Sequence, residues 1–275
     1  MTQWKQSSWG WVTALAMFLE GLCGATILLG VLLGSAPGVI LGVIWGIAAG
    51  LVLLAEAGNP RAAFRLMSGL GHAWMSRGTL LIVLCIVFGL AYALPAVPGF
   101  AWLPWTSETI LGRLLGVLVG VSSLLLMAYP GFLLGSMKPF PLWASSGSPI
   151  ISLTGSLLGG LGLFLLGDQL AGEAFPILNF AGSGLAILQL LFFWGYLDTA
   201  LRGAATESAS AHLLLRMPVF LWGAVIIGLV VPLVLLGAAL ALPGVTSSAL
   251  RTVAGVLLVV GWFCQRTAIL GAGLR

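Results

Sequence analysis

The sequence predicts an all-α, polytopic membrane bundle of eight helices. Two observations predict it: the composition, and the length of the apolar runs. Of 275 residues, 60% are hydrophobic and only 7% charged, and the mean hydropathy is +1.15. A soluble domain carries about 25% charged residues. So few polar side chains cannot cover a water-exposed surface, and the chain is read as an integral membrane protein. The runs are continuous rather than alternating, which excludes a β-barrel.

A spanning helix needs about 20 apolar residues. Eight segments qualify: 10–34, 37–58, 78–97, 109–134, 149–167, 174–201, 218–242 and 248–270. Together they make residues 1–275 a single membrane domain. The first follows Lys5 in the manner of a signal peptide. At roughly 25 residues it is too long for one, and further spans follow. Gly42, Gly46 and Gly50 repeat every fourth residue in span two, as Gly112, Gly116 and Gly120 do in span four. Small residues at that spacing predict close helix crossings. Pro130 and Pro232 lie within spans four and seven, where each removes a backbone hydrogen bond and predicts a kink.

Eight spans place both termini on one side, here called side A. Lys5, Arg61, Arg65, Arg77, Lys138, Arg202, Arg216, Arg266 and Arg275 fall there, nine of the eleven basic residues. Arg113 and Arg251 fall on side B, with Glu108, Asp168 and Glu173. The excess of Lys and Arg predicts that side A is cytoplasmic. Cys23, Cys85 and Cys264 lie in apolar runs without metal-ligand spacing and read as small hydrophobes. A membrane haem b requires paired axial histidines within helices. His72 and His212 both fall in side A loops, which disfavours a di-haem anchor.

Glu20 lies about 15 Å into span one at 1.5 Å per residue, where an ionisable group is costly unless protonated, paired or hydrated. Thr13, Ala16 and Gly24 share its face, so that face is expected to pack inward. Glu20 is either a protonated carboxyl bonded to a neighbouring helix or a proton-relay group at a pocket wall. Span six carries Asn179, Ser183 and Gln189 near Ala186 on one face, followed by Tyr196 and Asp198. That stripe is either interhelical hydrogen bonding or a wet path through the bundle. Tyr129 immediately precedes Pro130. It belongs either to the interfacial aromatic belt or to a cavity beside the kink.

One stretch departs from the apolar pattern: "EAGNPRAAFRLMSGLGHAWMSRGT", residues 56–79. It resembles the signature loop of the NrfD/PsrC family, the membrane subunits of polysulfide reductase and its relatives. Glu56, Gly58, Pro60, Arg61, Phe64 and Arg65 fit the family's acidic residue and Gly-x-Pro-x-Arg-Phe-like run. Trp74, Met75, Ser76 and Gly78 fit its Ser-Trp-Met-Ser-x-Gly run, with Ala73 in place of the first serine and Glu56 in place of an aspartate. "YPGFLLGSMKPFPLW", residues 129–143, and "GLCGA", residues 21–25, are similar to two further family segments. The likeness is clear over spans one to five and weak beyond.

The resemblance implies a haem-free anchor that exchanges electrons with the quinone pool, ubiquinone or menaquinone. It implies a ferredoxin-like iron–sulfur subunit and a molybdopterin catalytic subunit as partners, which alone would carry the clusters and the Mo or W. In a bacterial or archaeal cell this places the chain in the inner membrane. By position Tyr129 matches a quinone contact of the family. Where relatives carry polar residues, including histidine, at the start of span one, this chain offers Gln6, Ser7, Ser8 and Trp9.

The expected quinone-binding residues are therefore Tyr129, Trp9, Gln6 and Trp74, and the expected proton-transfer groups Glu20, Glu56 and Asp198. Arg61, Arg65, His72, Arg77 and Lys138 are the expected docking residues for the iron–sulfur subunit, whose carboxylates they would pair. The alternative from another class is a secondary transporter or ion-translocating protein, with Glu20, the span-six stripe and Asp168 lining a substrate path.

Overall fold

The computed structural model describes residues 9–57, 73–167, 170, 175–242 and 244–274. Among them there is no strand. The helices are α1 (Trp11–Leu32), α2 (Ala36–Ala57), α3 (Trp74–Ala93), α4 (Ile110–Gly135), α5 (Ser148–Phe164), α6 (Phe175–Arg202) and α7 (Ala205–Arg216). A π-helical stretch, Val219–Val230, runs into α8 (Val231–Ala241), and α9 is Val245–Gly271.

Local chemistry marks several of the ends. Gly34 takes a left-handed φ of 64°, which lets the chain reverse within a few residues. The amide of Ser35 then donates to the Gly30 carbonyl, and its hydroxyl accepts from the Gly38 amide to open α2. Thr109 caps α4 by accepting from the Gly112 amide at 3.2 Å. The segment expected at 78–97 is displaced: α3 already begins at Trp74 and ends at Ala93. Trp74, Ser76 and Arg77 do not look apolar, yet a helix satisfies its own backbone through an interfacial turn as well as through lipid. Pro95 has no amide hydrogen, and the chain closes there into the 3₁₀ turn Leu94–Ala96.

Seven helices among the described residues are long and apolar enough to cross a membrane. The eighth expected span is α5, a shorter apolar helix of 17 residues. It runs parallel to α1, since Gly21 backs onto Ser156 and Gly160 onto Ala25. It runs antiparallel to α9, since Gly155 and Gly159 receive the Trp262 ring and Gly162 meets Gly255. Every residue from Leu158 to Phe164 is buried. A helix enclosed by others need not match the hydrocarbon thickness, because protein rather than lipid covers its ends.

α1 is the other central helix, packed against α2, α3, α4, α5 and α9. Gly42 and Gly46 of α2 back onto Thr26, Ile27 and Cys23 of α1, as their spacing predicts, while Gly50 faces open space. The repeat in α4 does not make the expected crossing. Gly112 packs on its own preceding loop, and Gly116 and Gly120 make only ordinary contacts. The close approaches of α4 come instead at Gly131, against Ser148 and Pro149, and at Ser123 and Met127, against Gly24. Pro130 lies within the continuous helix α4. Pro232 lies in the first turn of α8, where the π-helical winding gives way to α; a proline is best tolerated at such a position.

One local expectation is corrected. The segment between spans six and seven contains α7, so His212 is helical rather than in a loop. Cys23 and Cys85 are buried free thiols in one apolar cluster, as expected of small hydrophobes.

Candidate functional site

A cavity of about 270 Å³ opens at the side A end of the bundle. One wall is α1 and its lead-in: Trp9, Thr13, Ala16, Met17 and Glu20. Leu53 and Glu56 of α2, Met75 and Thr79 of α3, and Tyr129 and Leu133 of α4 close the other sides. Thr13 and Glu20 stand seven residues apart, hence on one face of α1. The small residues around Glu20 pack inward as expected, with Ala16 at 1% and Thr13 at 8% exposure.

Three oxygens give the cavity its chemistry. Glu20 is buried, and its Oε2 has no hydrogen-bond partner. Tyr129 is buried and lines the same cavity. Glu56 is exposed at the mouth, where its Oε1 accepts from the Thr13 hydroxyl at 2.5 Å. The phenol end of the tyrosine lies against Gly78, and a Cβ on that glycine would occupy its place. Gly78 thus fixes where the phenol points.

The remaining expected residues are distributed unevenly. Trp9 lines the cavity and stacks on Trp143 at 5.7 Å. Trp74 is not part of the wall. It stacks on Phe132 at 6.1 Å with the Arg77 guanidinium 4.7 Å over its ring, and its neighbour Met75 lines the cavity instead. Arg77 and Lys138 are exposed. Asp198 stands apart from the cavity near the end of α6, paired with Arg202 at 2.8 Å. Gln6, Arg61, Arg65 and His72 lie outside the described residues, as do Asp168 and Glu173.

Arg266 corrects the charge count. It does not sit at a helix end among lipid headgroups but is 2% exposed inside the bundle. Its Nη2 donates to Ser152 Oγ at 2.5 Å, and its guanidinium lies 4.1 Å over the Trp262 ring. Without Arg266, eight basic residues remain on side A against two on side B, so the asymmetry keeps its sign. The sequence held a signal for it: Gln265 and Arg266 lie within the predicted span 248–270.

Beside Arg266 runs a hydrogen-bonded ladder. The Thr154 hydroxyl donates to Gln189 Oε1, Gln189 Nε2 to Gln265 Oε1 at 3.3 Å, and Gln265 Nε2 to the Ile151 carbonyl at 3.3 Å. Gln189 of the span-six stripe therefore makes interhelical bonds. Asn179 Oδ1 and Ser183 Oγ on the same stripe have no partner.

The family model described as "Polysulphide reductase, NrfD" matches residues 1–275. The chain belongs to the NrfD family. The match extends through spans six to eight, where the sequence motifs were weak, and it agrees with the helical bundle. Members of the NrfD family are membrane subunits of polysulfide reductase-type complexes, and the chain is accordingly a multi-pass membrane subunit with a general anchoring role. No curated protein sequence matches the chain.

Proposed function

We propose that this chain is the haem-free membrane anchor and quinone/quinol-reactive subunit of a multisubunit molybdopterin/iron–sulfur oxidoreductase. One observation carries the reading: Tyr129 and Glu20, on two packed helices, line one cavity, and Glu20 Oε2 has no hydrogen-bond partner. A quinone headgroup fits such a place. The walls are chiefly apolar and aromatic with a few convergent polar groups, as small-ligand sites commonly are.

In this reading the Tyr129 phenol hydrogen-bonds a headgroup oxygen, and Met17, Leu133 and Trp9 hold the ring. A quinol releases two protons with its two electrons, and Glu20 takes a proton at its free oxygen. Glu56, held by Thr13, stands as the second acceptor at the mouth. The electrons pass to a cluster in the docked iron–sulfur subunit, and Arg77 and Lys138, with Arg61, Arg65 and His72, form the docking surface. The positive-inside rule puts this face in the cytoplasm.

The test is isolation of the chain from its native membrane in mild detergent, with metal analysis, an optical spectrum and quinol-analogue turnover. Co-purified iron with molybdenum or tungsten, and no haem Soret band, is the expected result. Tyr129→Phe should lower quinone-linked turnover by about 10²-fold, the usual scale for a lost hydrogen-bond donor to a developing charge. A chain recovered alone and metal-free that moves a solute across vesicles would overturn the proposal in favour of a transporter.

A further inference from the structure

A cavity that takes a quinone must also give its tail a way into the bilayer. Helices α1, α2, α3 and α4 pack in a ring, each against the next, and all four line the cavity. Three of the four seams are closed by side-chain contacts. Thr13 bonds Glu56 across α1 and α2. Between α3 and α4, Gly78 backs onto the Tyr129 phenol and Trp74 stacks on Phe132. Between α4 and α1, Gly24 meets Ser123 and Met127, and α5 packs over both helices.

The glycines of α2 trace the fourth seam, against α3. Every fourth residue of a helix advances about 40° round its axis. Gly42 faces α1, at Thr26 and Ile27, and Gly46 faces both Cys23 of α1 and Ile86 of α3. Gly50 continues that turn toward α3, and a Cβ there meets nothing within 4 Å. The seam is therefore tight at Gly46 and Ile86 and leaves room at Gly50, one turn nearer side A. Just beyond, Leu53, Met75 and Thr79 line the cavity, with Met75 51% exposed. The Thr79 hydroxyl donates to the Met75 carbonyl at 3.1 Å, within its own helix, so it leaves no idle donor at this rim. On either side of the seam the outer faces are apolar and exposed, at Leu51 and Leu54 of α2 and Val83 and Val87 of α3, as a surface against lipid must be.

We infer that the α2–α3 seam is the lateral portal of the quinone site, through which the tail of a lipid-dissolved quinone passes between Gly50 and Leu53 of α2 and Met75 and Thr79 of α3. The portal rests on the quinone reading above. The cavity holds about 270 Å³, which is small beside ligand sites that run to about 1,000 Å³. It takes a headgroup, and a tail of many carbons lies outside it. Through this seam the headgroup enters from the bilayer without crossing water, and Glu56 keeps its place at the aqueous mouth. Leu53 and Met75 hold the first carbons of the tail, so the portal favours a tailed quinone over a tail-less one.

The experiment uses the whole complex with Gly50→Phe and, as a smaller plug, Gly50→Leu. Gly50 is not part of the cavity wall, and the open space beside it receives a side chain without displacing the protein. Turnover is measured with a decyl-tailed benzoquinol and with its tail-less counterpart. The KM for the tailed quinol should rise by about tenfold or more, the scale on which an apolar site rejects a misplaced methylene. The KM and kcat for the tail-less quinol should stay at their wild-type values. Phenylalanine should act more strongly than leucine. A wild-type KM for the tailed quinol in both variants would overturn the portal while leaving the quinone site standing. Equal losses with both quinols, or a lower yield of assembled complex from both variants, would also overturn it by marking Gly50 as a packing position. A wild-type complex that neither binds nor oxidises either quinol would overturn the quinone site and the portal together.

Discussion

The cavity between α1 and α4 and the ladder between α5, α6 and α9 are built from similar parts and behave differently. Both bury polar side chains deep in an apolar bundle. In the ladder, Thr154, Gln189 and Gln265 bond to one another and end on a backbone carbonyl. At the cavity, Glu20 Oε2 has no hydrogen-bond partner, and Tyr129 lines the same space. Side-chain type does not distinguish the two regions. What differs is whether neighbouring helices approach closely enough to complete the bonds. Glycines bring α5 against α1 and α9, so polar groups there find protein partners. At the cavity Thr13 bonds Glu56 across to α2, but Glu20 Oε2 finds no protein partner.

The comparison can be broken most severely at Gly78. Gly78→Leu puts a side chain where the Tyr129 ring lies and should abolish quinone-analogue binding while the complex still assembles; binding titration on the purified complex checks this. Next comes Glu20→Gln, which keeps the shape and removes the proton acceptor. Turnover should fall by about 10²-fold with the analogue still bound, and steady-state kinetics separate the two.

On the ladder the sign of the effects reverses. Gln189→Leu removes the side-chain acceptor of the Thr154 hydroxyl and leaves Gln265 Oε1 without its donor, which costs about 1–3 kcal/mol. The melting temperature of the complex should drop while quinone turnover per folded complex stays at the wild-type level. A large turnover loss without loss of stability would show that the ladder also carries chemistry. The smallest effect is expected for Asp198→Asn. Its pair with Arg202 is exposed, and such pairs contribute about 0–1 kcal/mol. Neither stability nor turnover should move measurably, and a turnover defect would bring Asp198 back as a proton-transfer group.

Much of the fold was legible in the sequence, because lipid imposes a simple code. Backbone groups in hydrocarbon must bond within their own helix, so each crossing shows as an apolar run of about 20 residues. α5 fits the code least well, since protein surrounds it and its length answers to packing. The site was legible in part. Glu20 stood out because a carboxylate in an apolar run is costly, and Tyr129 through its place beside Pro130 and the family motif. Trp74 and Asp198 belong to the right end of the bundle but not to the cavity, since hydropathy assigns depth and not rotation about the helix axis. Arg266 was misread for the same reason: a residue in the last turns of a span can face headgroups or the interior, and only packing chooses.

By itself, then, the sequence determined the all-helical membrane class, the order and approximate ends of the helices, the concentration of positive charge at one end and the family. These follow from local composition and from short-range motifs. Only the tertiary structure decided which buried groups meet: Glu20 with Tyr129 in an open cavity, Cys23 with Cys85, and Arg266 with Ser152 and Trp262. Such meetings depend on helix rotation and on backbone approach at Gly21, Gly24, Gly155 and Gly160. Those are set by side-chain packing between segments distant in sequence, about which hydropathy carries no information.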